Sequence, residues 1–301
     1  LCTVLFFLFV LAVGIFVFFW KRKRLYQQAD KILLNYINGD YSCHIPQNYE
    51  GAIYQVFSSV EQLATMLQSK NETERKAKEF LKDTISDISH QLKTPLAALA
   101  MYQEIIESEP ENAETVKQFA AKMGISLKRM EQLILSMLKI TRLDTGNIIF
   151  EKKSCRVSEL IAHSVNELTA RAKNENKQIQ IDGDGEQKLI CDMEWTGEAI
   201  GNIVKNALDH TQAGGIVRIT WERTPAMFRI FISDNGSGIA PEDIHHIFKR
   251  FYRSKHSIDT QGIGLGLPLA KSIIEGQGGV ISVQSESGKG TLFTLSFLTE
   301  L

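Results

Sequence analysis

The sequence predicts a membrane helix followed by several domains of α and α+β type, and three observations carry that prediction. Residues 1–20 contain no charged side chain. Between about residues 60 and 143, apolar residues recur every three or four positions, the period of an amphipathic helix. From about Ile148 the texture changes to short β-branched and aromatic runs separated by helical patterns. The length of 301 residues allows two or three domains. Apolar residues at 44% and charged residues at 23% sit near a globular average, which excludes disordered, collagenous and disulfide-dense classes. With 34 basic against 35 acidic side chains, the charge balance predicts no direct nucleic-acid binding.

Residues 1–20 form an almost unbroken run rich in Phe, Leu and Val. As a helix this run reaches about 30 Å, the thickness of a bilayer's hydrocarbon core. A core helix of that length normally carries a polar stripe, and a signal peptide carries its basic residues ahead of the apolar run. Here Lys21-Arg22-Lys23-Arg24 follows the run, which predicts a cytoplasmic C-terminal side. The first residue is Leu rather than Met, so the chain is expected to be a fragment. Cys2, Cys43, Cys155 and Cys191 are too far apart for a metal-ligand spacing and read as small apolar fillers or free thiols, not disulfides.

Residues 21–77 read as a juxtamembrane helical linker, interrupted at the turn signal Asn38-Gly39-Asp40. A signal-relay coiled coil of HAMP-like kind and a plain helical spacer both suit it. A long helix is expected over about residues 60–108, where Leu81, Ile85, Ile88, Leu92, Leu96 and Leu99 make one stripe. Glu109-Pro110-Glu111 ends it. A second helix is expected over about 112–143, with Phe119, Met123, Met130, Leu133, Met137 and Ile140 on one face and Asp144-Thr145-Gly146 as its stop. Two such helices joined by a short loop make a hairpin. Alone it buries little surface, so residues 78–146 predict a homodimer whose helices complete a four-helix bundle.

Residues 147–301 predict an α+β domain. Strands are expected at 179–181, 217–221, 228–232, 280–283 and 292–297, and helices at 157–173, 195–211 and 268–275. This order gives a mixed sheet with helices on one face.

The residues able to do chemistry fall into five groups. In Ser89-His90-Gln91-Leu92-Lys93-Thr94-Pro95, His90 lies two residues from Ile88 and two from Leu92, so it points off the apolar stripe toward solvent. Imidazole is a good nucleophile near neutral pH. Pro95 removes the bond to the Gln91 carbonyl and predicts a kink close to His90. Asn202 and Asn206 share a helix face at i, i+4 and can offer amide oxygens to a hard cation, although a polar domain edge has the same pattern. Asp234, followed by Asn235-Gly236-Ser237-Gly238, places a carboxylate at a strand end where glycines allow close backbone approach. Phe248-Lys249-Arg250-Phe251-Tyr252-Arg253 offers aromatic anchors among cations within a loop-like stretch. Finally, Gln261-Gly262-Ile263-Gly264-Leu265-Gly266 precedes Pro268, which suits the first turn of a helix whose free N–H groups favour anions. These glycines come late in their domain, unlike a Rossmann or protein-kinase loop.

In this order and spacing the motifs resemble the sensor histidine kinases of bacterial two-component systems, over about residues 75–300. The resemblance implies a HisKA-type dimerisation and phosphoacceptor domain, then a GHKL-type ATP-binding domain folded as a Bergerat-type α/β sandwich. It implies that His90 takes the γ-phosphoryl group of ATP and that an aspartate of a cognate response regulator then accepts it. In the family the residue after the histidine is acidic and acts as base. Gln91 can orient the ring but cannot take a proton, so the simple base role is open at this position. Thr94 matches the residue that positions water in the phosphatase direction. The resemblance assigns Mg²⁺ mainly to Asn206, with Asn202 beside it, and the adenine amino group to Asp234. Tyr252 and Arg253 fall near the phosphates, and Gly236, Gly238, Gly262, Gly264, Gly266 and Thr291 complete the nucleotide-binding set. Many relatives carry Lys three residues beyond the Asn. Asp209 stands there in this chain, and Lys205 is an open candidate for the same duty.

The expected protein is thus a histidine kinase anchored in the plasma membrane of a bacterium, with its catalytic region in the cytoplasm. Its rivals are a superfamily ATPase of chaperone or topoisomerase type, which lacks the His90 helix, and a degenerate kinase acting as a scaffold, which Gln91 and Asp209 favour. A mainly phosphatase output is a further alternative.

Overall fold

The computed structural model describes residues 2–37, 39–41, 52–254 and 262–299. The expectations for Asn38, Cys43 and Gln261 lie outside the described residues. The chain divides into two compact units, Leu1–His90 and Gln91–Leu301.

In the first unit, α1 (Cys2–Ile37) is one helix that runs from the apolar segment through the Lys21–Arg24 cluster. No Gly or Pro interrupts residues 15–37, and Lys, Arg, Leu and Gln are good helix formers. The helix is long and apolar enough to cross a membrane, with mean hydropathy 2.7 in its candidate span. The Arg24 guanidinium lies 5.7 Å from the centre of the Trp20 ring, at the apolar boundary. Beyond that point α1 meets α2 (Ala52–Ser108): Ala29 and Phe57 are buried, with Leu25, Ile32, Leu33, Tyr36 and Val60 packed around them. The α2 helix starts earlier than its periodicity suggests, because residues 52–108 contain no glycine and Pro95 alone among prolines. It is helical on both sides of Pro95.

In the second unit, the end of α2 and α3 (Ala113–Asp144) form the expected hairpin. The connection is held by side chains. Asn112 Oδ1 accepts from the Thr115 N–H at 3.2 Å as the N-cap of α3. The Glu109 carboxylate accepts from Thr115 Oγ1 at 3.0 Å and from Asn112 Nδ2 at 3.2 Å. Tyr102 and Phe119 meet across the helices at 5.6 Å. Leu133, Met137 and Ile140 are buried on α3, whereas Ile125, Leu127, Ile134, Leu135 and Leu138 are exposed.

The α/β portion opens with β1 (Lys153–Arg156), α4 (Val157–Asn174), β2 (Gln178–Asp182), β3 (Lys188–Cys191) and α5 (Met193–His210). It continues with β4 (Ile216–Arg223), β5 (Met227–Asp234), α6 (Pro241–Ile244), α7 (Gly266–Gly276), β6 (Val280–Glu286) and β7 (Gly290–Leu298). The five expected strands form one mixed sheet in the order β2-β4-β5-β7-β6, in which only β2 and β4 run parallel. Val217, Ile219, Trp221, Phe228, Ile230, Ile232, Phe293, Leu295 and Phe297 alternate along their strands and are buried on one face. The amphipathic helices α4, α5 and α7 pack against this sheet and against one another. The α7 helix also packs on α3, and the Phe150 ring fits edge-on against Trp195 at 6.1 Å. The short ribbon β1–β3 and the single turn of α6 were not anticipated, because four residues are too few to display a period.

Candidate functional site

The α5 helix is the floor of the site. Asp192 caps it, with Oδ1 accepting from the Trp195 N–H at 3.2 Å. Ile200, Ile203, Val204, Ala207 and Leu208 are buried against the core. The helical period then turns Asn202, Lys205 and Asn206 the other way, with both Asn partly buried and Lys205 exposed.

At the end of β5, Asp234 Oδ1 accepts from the Gly236 N–H at 2.9 Å. Burial pushes the Asp234 carboxyl above its ordinary value, against the opposing pull of backbone N–H groups from Gly236 and Thr291 and of nearby His210. The turn that follows is tight. Gly236 is pressed against the His210 carbonyl and Gly238, at φ +66°, against the Glu286 carbonyl, so a side chain fits at neither. The Ser237 N–H donates to the His210 carbonyl at 3.1 Å and the Gly288 N–H to the Ser237 carbonyl at 2.7 Å. Ser285 Oγ accepts from the Ile239 N–H at 2.8 Å and lies 3.0 Å from Thr291 Oγ1.

Two adjoining cavities share Asn206, Ile247, Tyr252 and Leu267 in their walls. One, of about 270 Å³, has Asp234, His210, Gly238 and Thr291 at its polar end and Ile239 and Ala240 among its apolar walls. The other, of about 360 Å³, is lined by Asn202, Lys205 and residues 262–268 among others. Of the residues singled out for nucleotide, Asn202, Lys205, Asn206, Asp234, Gly238, Tyr252, Arg253, Gly262, Gly264, Gly266 and Thr291 line this double cleft. Gly236 is buried behind it. His210, Asp243 and Ile239 also line it and were not singled out. His210 continues the i, i+4 face of Asn202 and Asn206 at the end of α5, a local signal that could have found it, whereas Ile239 and Asp243 reach the cleft through the chain that follows β5.

The fit to a nucleotide is chemical as well as spatial. The α7 helix begins at Gly266 with no side-chain cap, so its first N–H groups are open to an anion. Gly266 lies against Asn202: a Cβ there would stand 3.3 Å from Asn202 Oδ1. Asn202 and Asn206 supply neutral oxygens, and no cluster of three or more His, Cys, Asp or Glu suited to a metal occurs among the described residues. That donor set suits a cation that takes the rest of its ligands from phosphate and water, as Mg²⁺ does.

The aromatic-cationic motif is fastened at several points. Phe248 meets Phe293 edge-on at 6.4 Å. The Phe251 N–H donates to the Gly264 carbonyl at 2.9 Å, with Phe251 itself at φ +60°. Gly264, at φ +75°, has no room for a Cβ against the Phe251 backbone. Arg250 pairs with Asp144 at the end of α3. Tyr252 donates its hydroxyl to Asp243, which raises the phenol's pKa. Asp209 is occupied too: Arg171 Nη2 donates to it at 2.6 Å and, through Nε, to Glu175 at 2.6 Å, tying α4 to α5.

On α2, His90 and Thr94 are exposed one helical turn apart, and Gln91 is partly buried.

A helical hairpin followed by an ATP-type cleft on a mixed sheet defines a class of protein, and comparison with known families specifies it. Residues 80–146 match the His Kinase A (phospho-acceptor) domain, and residues 191–301 match the histidine kinase-, DNA gyrase B- and HSP90-like ATPase domain. The chain is 30% identical over 217 residues to the sensor-like histidine kinase SenX3 of Mycobacterium tuberculosis, covering 71% of this chain and 53% of that protein. It is also 30% identical to the sensor protein SrrB of Staphylococcus aureus, over 71% of this chain and 37% of SrrB. The chain thus spans about half the length of SenX3, or less for SrrB. In fold it is similar to the Acinetobacter baumannii histidine kinase AdeS, with TM-score 0.58, 19% identity and coverage of 69% and 97% of the two chains. It is similar also to histidine kinase ThkA, solved with the response regulator protein TrrA, with TM-score 0.62, 22% identity and coverage of 77% and 66%. The chain belongs to the sensor histidine kinases of two-component signalling.

Proposed function

We propose that this chain is a membrane-anchored protein-histidine kinase that uses Mg-ATP to phosphorylate His90 and then passes the phosphoryl group to an aspartate of a cognate response regulator. The observation that carries the reading is the double cleft, with a partly buried carboxylate at one end, an uncapped helix N-terminus at the other and Asn206 between them. Asp234 accepts from the adenine amino group while Ile239, Ala240 and Leu267 hold the ring. The N–H groups at the start of α7 and the glycine backbone of residues 262–266 receive the phosphates. Asn206, with Asn202 beside it, would hold Mg²⁺, which would supply charge neutralisation at the phosphates. The protein's part is then positioning and charge complementarity rather than covalent assistance. His90 attacks the γ-phosphorus, ADP leaves, Gln91 orients the ring, and Thr94 positions water for the reverse, phosphatase reaction.

The domain division that accompanies this reading is a membrane helix over residues 1–20, a helical linker over 21–77, a dimerisation and phosphoacceptor domain over 78–146 and an ATP-binding domain over 147–301. The exposed Leu81, Ile85, Leu96, Met101, Ile134 and Leu138 support a homodimer, since a lone hairpin would leave that surface in water. The apolar α1 followed by a basic cluster supports a bacterial plasma-membrane anchor with the catalytic region in the cytoplasm.

Incubation with γ-labelled ATP should give an acid-labile, base-stable label that His90→Gln abolishes. Label persisting in that variant would remove His90 as the acceptor.

A further inference from the structure

Cys155 and Cys191 are 36 positions apart, yet their sulfurs meet at 3.5 Å. The ribbon of β1 and β3 brings them together. Ser154 stands opposite Ile190, so the two cysteines rise from one face as a diagonal pair. Cys191 is buried and Cys155 partly so. Both line an open groove of about 840 Å³ beside Trp195, which gives solutes access to Cys155. The hydrogen bond from Cys191 lowers the Cys155 thiol pKa, while that bond and burial push Cys191 far up. The pair therefore has a partly buried attacking sulfur at the groove and a buried resolving one. Closing to a disulfide needs about 1.5 Å of approach.

The next residue after Cys191 is a structural junction. Asp192 Oδ1 caps α5, its Oδ2 accepts from the Glu151 N–H at 2.9 Å, and its own N–H donates to Gln277 Oε1 at 2.8 Å. Gln277 Nε2 in turn donates to Thr196 Oγ1 at 2.9 Å. Drawing Cys191 toward Cys155 pulls on this junction at the start of the helix that carries Asn202 and Asn206.

We propose that Cys155 and Cys191 are a reversible thiol–disulfide modification site, oxidised by low-molecular-weight disulfides, whose closure weakens nucleotide binding through the α5 cap. The Cys155 thiolate attacks one sulfur of the small disulfide RSSR, forming a mixed disulfide and expelling one thiolate, which leaves as RSH. The Cys191 thiol loses its proton and attacks Cys155 Sγ, forming the protein disulfide and releasing the second RSH. Two protein thiols are oxidised and one small disulfide is reduced to two thiols. In a reducing compartment such a bond is transient, as a regulatory one must be. The effect on nucleotide rests on the proposed function; the modification itself does not.

The test uses the full chain in nanodiscs, with Cys2→Ser and Cys43→Ser so that only this pair can react. The protein is equilibrated with glutathione disulfide and glutathione, alkylated and digested with trypsin. The expected product is a linked pair of peptides, 154–156 with 189–205, two hydrogens lighter than the separate thiols and split by dithiothreitol. A fluorescent ATP analogue should bind the oxidised form about fivefold more weakly than the reduced form, the worth of one helix cap. Adding C155S or C191S should abolish both effects. Glutathione adducts without a link, or no reaction, would overturn the site. A link with unchanged nucleotide affinity would overturn the coupling. A reduced protein that binds no nucleotide would count against the proposed function, and the peptide arm would still decide the modification site.

Discussion

Replacing Asp234 by Asn separates what the carboxylate does for the ligand from what it does to the fold. The side chain keeps its shape, and an amide oxygen can still accept from the Gly236 N–H, now 2.9 Å away. What disappears is the charge. Burial holds this carboxyl above its ordinary value of 3.8 in the folded protein, whereas the unfolded chain titrates it at the ordinary value. The folded state therefore binds this proton more tightly. Stability gained from the proton is fully present below the ordinary pKa and is lost as pH rises through the raised one. At about pH 7 the ionised group destabilises the fold relative to an amide, so nucleotide-free D234N should melt above the parent. The gap should shrink as pH falls through the raised folded-state pKa, where the folded parent takes up its proton. For the ligand the sign reverses. An N–H donor bonded to a carboxylate contributes about 1.5–3 kcal/mol, so Mg-ATP affinity should fall about 10- to 150-fold. Scanning calorimetry across pH without nucleotide reads the first effect, and titration calorimetry with Mg-ATP reads the second. Affinity unchanged in D234N would refute the adenine-recognition role. A variant that melts lower than the parent at neutral pH would refute the burial argument.

Three further perturbations test other parts of the site. Gln91→Glu supplies a carboxylate beside His90, and autophosphorylation should speed up if proton removal limits the rate; an equal or slower rate would show that solvent or another group takes the proton. Asp209→Lys places a lysine three residues beyond Asn206, but it also breaks the 2.6 Å pair with Arg171 and sets two cations together. It should cost about 1–3 kcal/mol in urea unfolding, and an unchanged midpoint would show that the pair holds nothing. Gly264→Ala places a Cβ at φ +75° against the Phe251 backbone and should destabilise the chain by about 1–3 kcal/mol, read the same way, with nucleotide affinity falling alongside.

The departures from the family pattern illustrate where sequence reasoning stopped. Asp209 looked like a lost phosphate ligand, and the fold shows it engaged by Arg171 from α4, 38 positions earlier. The hydroxyl of Tyr252, which lines both cavities, bonds Asp243, a residue in a stretch read as loop, so that contact was not legible in the sequence. The α1 helix continues through the Lys21–Arg24 cluster, because residues 15–37 contain neither Gly nor Pro and charge alone does not break a helix.

What the sequence determined by itself was everything governed by local periodicity and local backbone needs. The apolar stripes define α2 and α3, the alternating runs define the five-stranded sheet, and the i, i+4 spacing sets Asn202 and Asn206 side by side. The glycines of the two glycine motifs mark close backbone approach, and of Gly236, Gly238, Gly262, Gly264 and Gly266 the fold puts only Gly238 and Gly264 at positive φ. Only the tertiary structure decided which distant groups meet: Asp234 with Thr291 across β5 and β7, Arg250 with Asp144, and Cys155 with Cys191. Strand register and helix packing fix those meetings, and both depend on contacts between segments whose separation along the chain carries no signal of its own.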